Sequence, residues 1–186
     1  MPDQVPLVEN LSIATTGQLY IFEYWDIIRN MNKLYTFSPI TSKEQFDSVL
    51  KHIVKNAEKL SEQLTGAKLS VATVKVFAHY PEEFQFMKSI LGEYGTLSTI
   101  GRSTSIYVDS SLMIEGSRIE NVGIRVPDPY RLQTGCVDFQ VENPKEFVDS
   151  LSKNEHGYIR PFPDMPEDLV ELWHPDFDVA GYIPLR

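Results

Sequence analysis

Between Leu69 and Arg186 the chain passes twice through one order of elements: a strand, a helix, then further strands. In the first pass LSVATVKVFAH alternates and is rich in β-branched residues, the pattern of a strand. Pro81 then opens a helix with Phe84, Met87, Ile90 and Leu91 on its inner face and Gly92 at its end. Strand-like stretches follow at about 96–108 and 118–126, separated by Ser/Gly/Asp turn signals. YRLQTG connects Pro129 to the next strand. The second pass begins with CVDFQVE, again alternating. Asn143, Pro144 and Glu146 supply an N-cap, a first-turn proline and a capping-box acid, and Phe147, Val148 and Leu151 an inner face. Strands at about 157–162, 168–174 and 178–184 complete it. Strand–helix–three strands, twice, is an internal repeat of about 50–65 residues, carried by element order more than by residue identity.

Upstream the period differs. Met1–Asn10 holds two prolines and no periodicity. In TTGQLYIFEYWDIIRNMNKLYTF, residues Ile21, Tyr24, Trp25, Ile28, Met31 and Tyr35 recur at helical spacing, which predicts an aromatic helix over 18–36, although the same residues suit a strand. Thr41 and Glu44 match the capping box. Phe46, Val49, Leu50, Ile53, Val54, Ala57, Leu60 and Leu64 then repeat at helical spacing, and Gly66 ends the helix. The sequence divides into a helical extension, 1–66, and a domain, 67–186. The apolar stripes of the extension need a partner, which is either the following domain or a second copy of the chain.

Composition excludes several classes. No stretch is apolar and long enough to span a bilayer, and the N-terminus lacks a basic and an apolar leader region, so a cytoplasmic location is expected. The single cysteine, Cys136, cannot form an intrachain disulfide and fits a reducing compartment. A net charge of −9, with no Lys/Arg stripe to offset it, argues against nucleic acid as a partner.

VKVFAHYPEEFQFMKSILGEYG resembles the opening of a vicinal-oxygen-chelate module, a strand and then a helix ending in Leu-Gly. LVELWHPDFDVAGYI resembles that module's close, with His174-Pro175-Asp176-Phe177 where the family has a D-P-D-G-like turn. Over about 69–186 the chain is therefore similar to the vicinal-oxygen-chelate (glyoxalase/bleomycin-resistance-like) superfamily. The resemblance implies an α+β fold in which two βαβββ modules, about 69–128 and 135–186, form a curved, cup-like mixed sheet behind an N-terminal helical extension. It also carries over the family's metal-ligand positions. They fall near Ala72 or Thr73 on the first strand, on Cys136 in the second module and on Gly181 on the last strand. A lone thiol does not replace several nitrogen and oxygen ligands, so neither a metal nor any other cofactor is expected.

Strand alternation says which side chains line the cup. If Val137, Phe139 and Val141 pack under the helices, Cys136, Asp138 and Gln140 face the other way. If Val74 and Val76 pack, Thr73, Lys75 and Phe77 face the cup. If Val122, Ile124 and Val126 pack, Asn121, Gly123 and Arg125 face it, and packing of Val170 and Leu172 turns Glu171 and Trp173 to the same side. Lys75, Arg125, Cys136, Asp138, Gln140, Glu171 and Trp173 are thus candidate ligand-binding residues, against the plainer reading of ion pairs on an open sheet face. Arg131 joins them, because Arg125-Val-Pro-Asp-Pro-Tyr-Arg131 is a stiff loop whose two arginines can clamp a carboxylate or phosphate; the plainer reading is a rigid connector. His79, ahead of Glu82 and Glu83, is read as a favourable partner of the helix dipole. His174 is either a general base or a turn residue, and Cys136 either a nucleophile or an inert buried thiol.

Three functions compete. The first is a metal-independent protein that binds a small polar or anionic molecule in the cup. The second is an enzyme of the same fold, a lyase, isomerase or hydrolase, using Asp138, Glu171 or His174 for proton transfer. The third is an interaction protein whose helices at 18–36 and 46–64 hold a homodimer.

Overall fold

The capping signal before the long helix works one residue later than the sequence places it. In the computed structural model, which describes residues 35–98, 105–151, 158–164 and 166–186, helix α1 spans Lys43–Thr65 and Ser42, not Thr41, is its N-cap. The Ser42 hydroxyl accepts from the Gln45 N–H at 3.2 Å, and the Gln45 side chain accepts from the Thr41 and Ser42 N–H groups at 2.7 and 3.2 Å. Ser42 takes this role because its backbone is extended, φ −139° and ψ 159°, as a cap requires, and Gln45 then occupies the third helical position in place of Glu44. Gly66 closes the helix as expected, at φ 74°, with its N–H donating to Glu62 O at 2.9 Å. Urea titration of Ser42→Ala is expected to show a loss of about 1 kcal/mol, the usual effect of an N-cap.

After α1 come strand β1 (Ser70–Phe77), helix α2 (Pro81–Ile90) with a 3₁₀ turn at Leu91–Glu93, and strands β2 (Thr96–Ser98), β3 (Ser105–Ile114) and β4 (Ser117–Arg125). Then follow β5 (Gly135–Gln140), helix α3 (Pro144–Ser150), and β6 (Ile159–Pro161), β7 (Leu169–Leu172) and β8 (Val179–Pro184). The eight strands form one curved, open sheet in the order β2-β3-β4-β1-β5-β8-β7-β6. Each module's first strand is parallel to its own last strand, β1 with β4 and β5 with β8, and β1 and β5 meet antiparallel at the centre. The second half of the order thus repeats the first about the β1/β5 seam, as two paired βαβββ modules require.

Three local expectations change. The stretch read as one strand at about 96–108 is two, β2 and β3. The turn that ends β3 lies at Glu115 and Gly116, whose φ values of 51° and 91° make a two-residue hairpin between the paired Ile114 and Ser117. Val126 does not pack but is 41% exposed, because pairing stops at Arg125 and the residue before a proline leaves the ladder. Asn143 is the N-cap of α3, as expected, but it caps in a left-handed conformation, φ 49°, without a side-chain hydrogen bond.

One face of the sheet carries α1. Phe46, Val49, Leu50, Ile53, Val54, Ala57 and Leu60 are all at most 1% exposed and share a core with Val74, Val76, Val122, Ile124, Val137, Phe139, Leu172 and Ile183. The stripe at 46–64 is therefore spent on the chain's own sheet, and the compact unit formed by the described residues starts at Tyr35, ahead of α1. The expected irregular segment at 1–10 and aromatic helix at 18–36 lie outside the described residues, apart from Tyr35 and Thr36, which form a bend. Among the described residues no helix is long and apolar enough to cross a membrane.

Candidate functional site

The face opposite α1 is built by register. Pairing lines up Asn121 of β4, Thr73 of β1, Asp138 of β5, Tyr182 of β8, Glu171 of β7 and Arg160 of β6 in one row across six strands. Beside it run Gly123, Lys75, Cys136 and Ala180, and beyond these Arg125 next to Phe77. Residues in register share a face, so this row is a consequence of alternation on each strand. Phe77, Cys136, Ala180 and Tyr182 form an apolar floor, at most 5% exposed, flanked by Phe162 and Leu169.

The charges on that floor are partly matched. Lys75 Nζ lies 3.2 Å from Asp138 Oδ2. Arg160 donates to Glu171 Oε2 through Nε at 2.9 Å, with its terminal nitrogen at 2.8 Å, and Tyr182 reaches Glu171 Oε1 at 3.4 Å. Both carboxylates suggested for acid–base work thus already hold cations. Arg125 and Arg131 differ: their guanidiniums sit 5.7 and 4.1 Å from the Phe77 ring centre, and among the described residues neither has a carboxylate partner. Arg131 Nε is buried and makes no hydrogen bond. Burial pushes the Cys136 thiol up to about 12 against the lowering pull of Lys75, and it raises the Tyr182 phenol, helped by Cys136 and Glu171. Cys136 therefore stays protonated at neutral pH and is no nucleophile there.

The remaining sequence candidates lie at the margins. Gln140 is exposed at the end of β5. Trp173 sits at the β7 edge, its ring 5.9 Å from that of Tyr158 and beside Arg160. His174 is a turn residue whose Nδ1 accepts from the Asp176 N–H at 3.2 Å and whose Nε2 lies 3.4 Å from the Gln63 amide of α1, so it does not share the site with Asp138 and Glu171. Gly181 pairs with Val137 and Leu172 on the α1 side, and a Cβ there would meet Phe139, so the carried-over last-strand ligand position does not face the cup. Its neighbours Ala180 and Tyr182 do. Tyr182 and Arg160 were missed by sequence reading; alternation run along VAGYIP would have found the first, while the three-residue strand holding Arg160 offers too short a pattern. Among the described residues no group of three or more His, Cys, Asp or Glu side chains is arranged to hold a metal ion.

The connector between β4 and β5 carries Arg131 and is tied from several sides. Asp128 N donates to Ala78 O at 3.0 Å, and Tyr130 N donates to Asp128 Oδ1 at 3.0 Å. The Tyr35 hydroxyl donates to Pro129 O, and the Tyr35 ring stacks 3.7 Å from that of His79. His79 is only 3% exposed and its Nε2 lies 2.9 Å from Arg131 O, so it is a buried node and not merely a charge near a helix end. Burial holds its imidazole below the ordinary value, opposed by the Glu83 carboxylate.

A second dyad joins α1 to the turn before β8. His52 Nε2 lies 2.9 Å from both oxygens of Asp178, which also accepts from the Thr134 hydroxyl at 2.7 Å. Burial alone would raise the Asp178 carboxyl, but hydrogen bonds from His52 and Thr134 keep it below its ordinary value. A depressed carboxyl adds stability above its unfolded pKa that is lost as pH falls through the folded one. Acid titration should therefore show Asp178→Asn less stable than wild type at neutral pH, by about 1–2 kcal/mol, with the gap closing below about pH 4. An unchanged gap at low pH would contradict this.

No family model and no curated protein sequence matches the chain. A solved structure described as structural-genomics protein EC4020 is similar at a TM-score of 0.56, with 12% sequence identity, over 83% of this chain and 91% of that one. At such identity the likeness bears on fold alone, and it agrees with the mixed α+β architecture described above.

Proposed function

We propose that this chain is a divergent glyoxalase-like protein of the vicinal-oxygen-chelate type that binds a small anion in the cup of its sheet without a metal. One observation carries the reading: Arg125 and Arg131 converge on Phe77 with no described carboxylate to neutralise them, and Arg131 Nε is buried without an acceptor. A buried charged donor left unsatisfied is costly, and a carboxylate or phosphate oxygen between the two guanidiniums removes that cost. Among the described side chains the cup face carries four cations, Lys75, Arg125, Arg131 and Arg160, and two carboxylates, Asp138 and Glu171, in a chain of net charge −9, and the register of the row continues to Asp109 of β3.

Binding is favoured over acid–base catalysis because Asp138 and Glu171 are engaged by Lys75 and Arg160 and Cys136 is held protonated. The paired βαβββ topology supports the glyoxalase-like assignment. The net acidity makes nucleic acid a poor partner, and a single buried thiol suits the cytoplasm. Calorimetric titration with sulfate, phosphate and small carboxylic acids tests the reading. Wild type is expected to bind at least one of them, and Arg125→Ala or Arg131→Ala to bind it about tenfold more weakly or worse. Equal binding by all three proteins would remove the cup as the site. Stoichiometric zinc, nickel, manganese or iron in the purified protein would overturn its metal independence.

A further inference from the structure

Three hydrogen-bond contacts converge on the node behind Arg131. Ser38 Oγ lies within reach of both His79 Nδ1 and Glu83 Oε1, at 2.5 and 2.7 Å, and His79 Nε2 faces Arg131 O at 2.9 Å. A carbonyl only accepts, so the last contact requires a hydrogen on Nε2. The Ser38 hydroxyl donates to Glu83 Oε1 while its oxygen lies against Nδ1, so the ring is held from that side with Nε2–H pointing at Arg131.

The order of the trio also excludes a hydrolytic triad. Serine bridges acid and imidazole, where a nucleophile would need imidazole between serine and acid, and the second imidazole nitrogen faces a backbone carbonyl. What the arrangement does is orient. Glu83 is fixed by N–H groups of Ile40, His79 and Tyr80, at 2.9, 2.7 and 3.3 Å, so Ser38 and through it the imidazole have an immobile anchor. The titratable groups facing the imidazole are Glu83 of α2, Asp128 of the connector and the phenol of Tyr35, which Tyr80 in turn meets edge-on.

We propose that His79, oriented by Ser38 and Glu83, is the positioning residue that holds the Arg131 backbone so that its guanidinium stays over Phe77, and that it thereby sets the anion affinity of the cup. The proposal rests on the anion-binding reading above and deepens it, since it assigns control of affinity to a residue that touches no ligand.

Sulfate is the probe, because its charge is fixed across the neutral range. Affinities are measured by calorimetry for wild type, His79→Phe, Arg131→Ala and the double variant, with melting temperatures to certify folding. His79→Phe keeps a ring against Tyr35 and removes both nitrogens. It is expected to weaken sulfate about five- to tenfold, the equivalent of one hydrogen bond, and to change affinity by less than about twofold once Arg131 is alanine. The Arg131 Nε–H resonance of the ligand-free protein is expected to move in His79→Phe while that of Arg125 stays. Unchanged affinity in His79→Phe, or an equal loss with and without Arg131, overturns the proposal while leaving the anion-binding reading intact. Failure of wild type to bind sulfate, phosphate or any small acid overturns both. If His79→Phe does not fold, Ser38→Ala serves instead, with an expected loss of about two- to threefold that vanishes in the Arg131→Ala background; an unchanged affinity there is equally fatal.

Discussion

Replacing Glu83 with alanine is expected to lower stability by about 3–5 kcal/mol, the largest effect of any single polar substitution in the described fold. The carboxylate is 2% exposed, and each oxygen accepts two hydrogen bonds. Oε1 takes the Ser38 hydroxyl and Ile40 N–H, and Oε2 takes the His79 and Tyr80 N–H groups. Alanine strands all of these donors in a site that water does not reach, and it removes the side-chain half of the α2 capping box. Glu83→Gln keeps the shape and one acceptor oxygen, so a smaller loss is expected. Glu82→Ala, exposed one position earlier, is the control and should stay within about 0.5 kcal/mol of wild type. Urea denaturation of the three variants gives the comparison, and a Glu83→Ala loss below that of the Ser42 cap variant would mean the donors are hydrated after all.

The second large effect is expected from a methyl group. A Cβ at Gly181 would stand 2.3 Å from Phe139 Cε2 and 2.9 Å from Cζ, distances that real Cβ atoms do not show. Gly181→Ala should therefore cost about 1–3 kcal/mol through overpacking. Since the obstacle is one side chain and not backbone, Phe139→Leu in the same chain should recover part of the loss, a coupling visible in a double-mutant cycle. Additive losses would mean that β8 is out of the described register. If the pair couples, a carboxylate engineered at 181 also has no route to the cup, because it would project toward α1.

These two sites mark where sequence reading succeeds and where it stops. Alternation placed Lys75, Arg125, Cys136, Asp138 and Glu171 on the correct face because the pleat has a period of two, whatever the partner strands are. Order of elements gave the paired modules for the same reason: strand and helix periods are local properties. The helix cap slipped by one residue because Thr41 and Ser42 are both good caps, and only the backbone conformation chooses between them. Gly181 was assigned by analogy to a ligand position, whereas its own strand, run in register from Tyr182, turns it toward Phe139. The node at His79 was illegible for a different reason. Ser38 and Arg131 lie 41 and 52 residues away along the chain, and no local pattern announces hydrogen bonds across such separations.

The two outermost strands have a consequence for assembly. β2 and β6 are three residues each, and β6 ends in Pro161, which has no N–H to offer. An exposed strand invites another chain to extend the sheet only when it presents a run of free donors and acceptors. Among the described residues the β6 rim therefore offers little backbone to add to, and strand addition there is a poor route to growth.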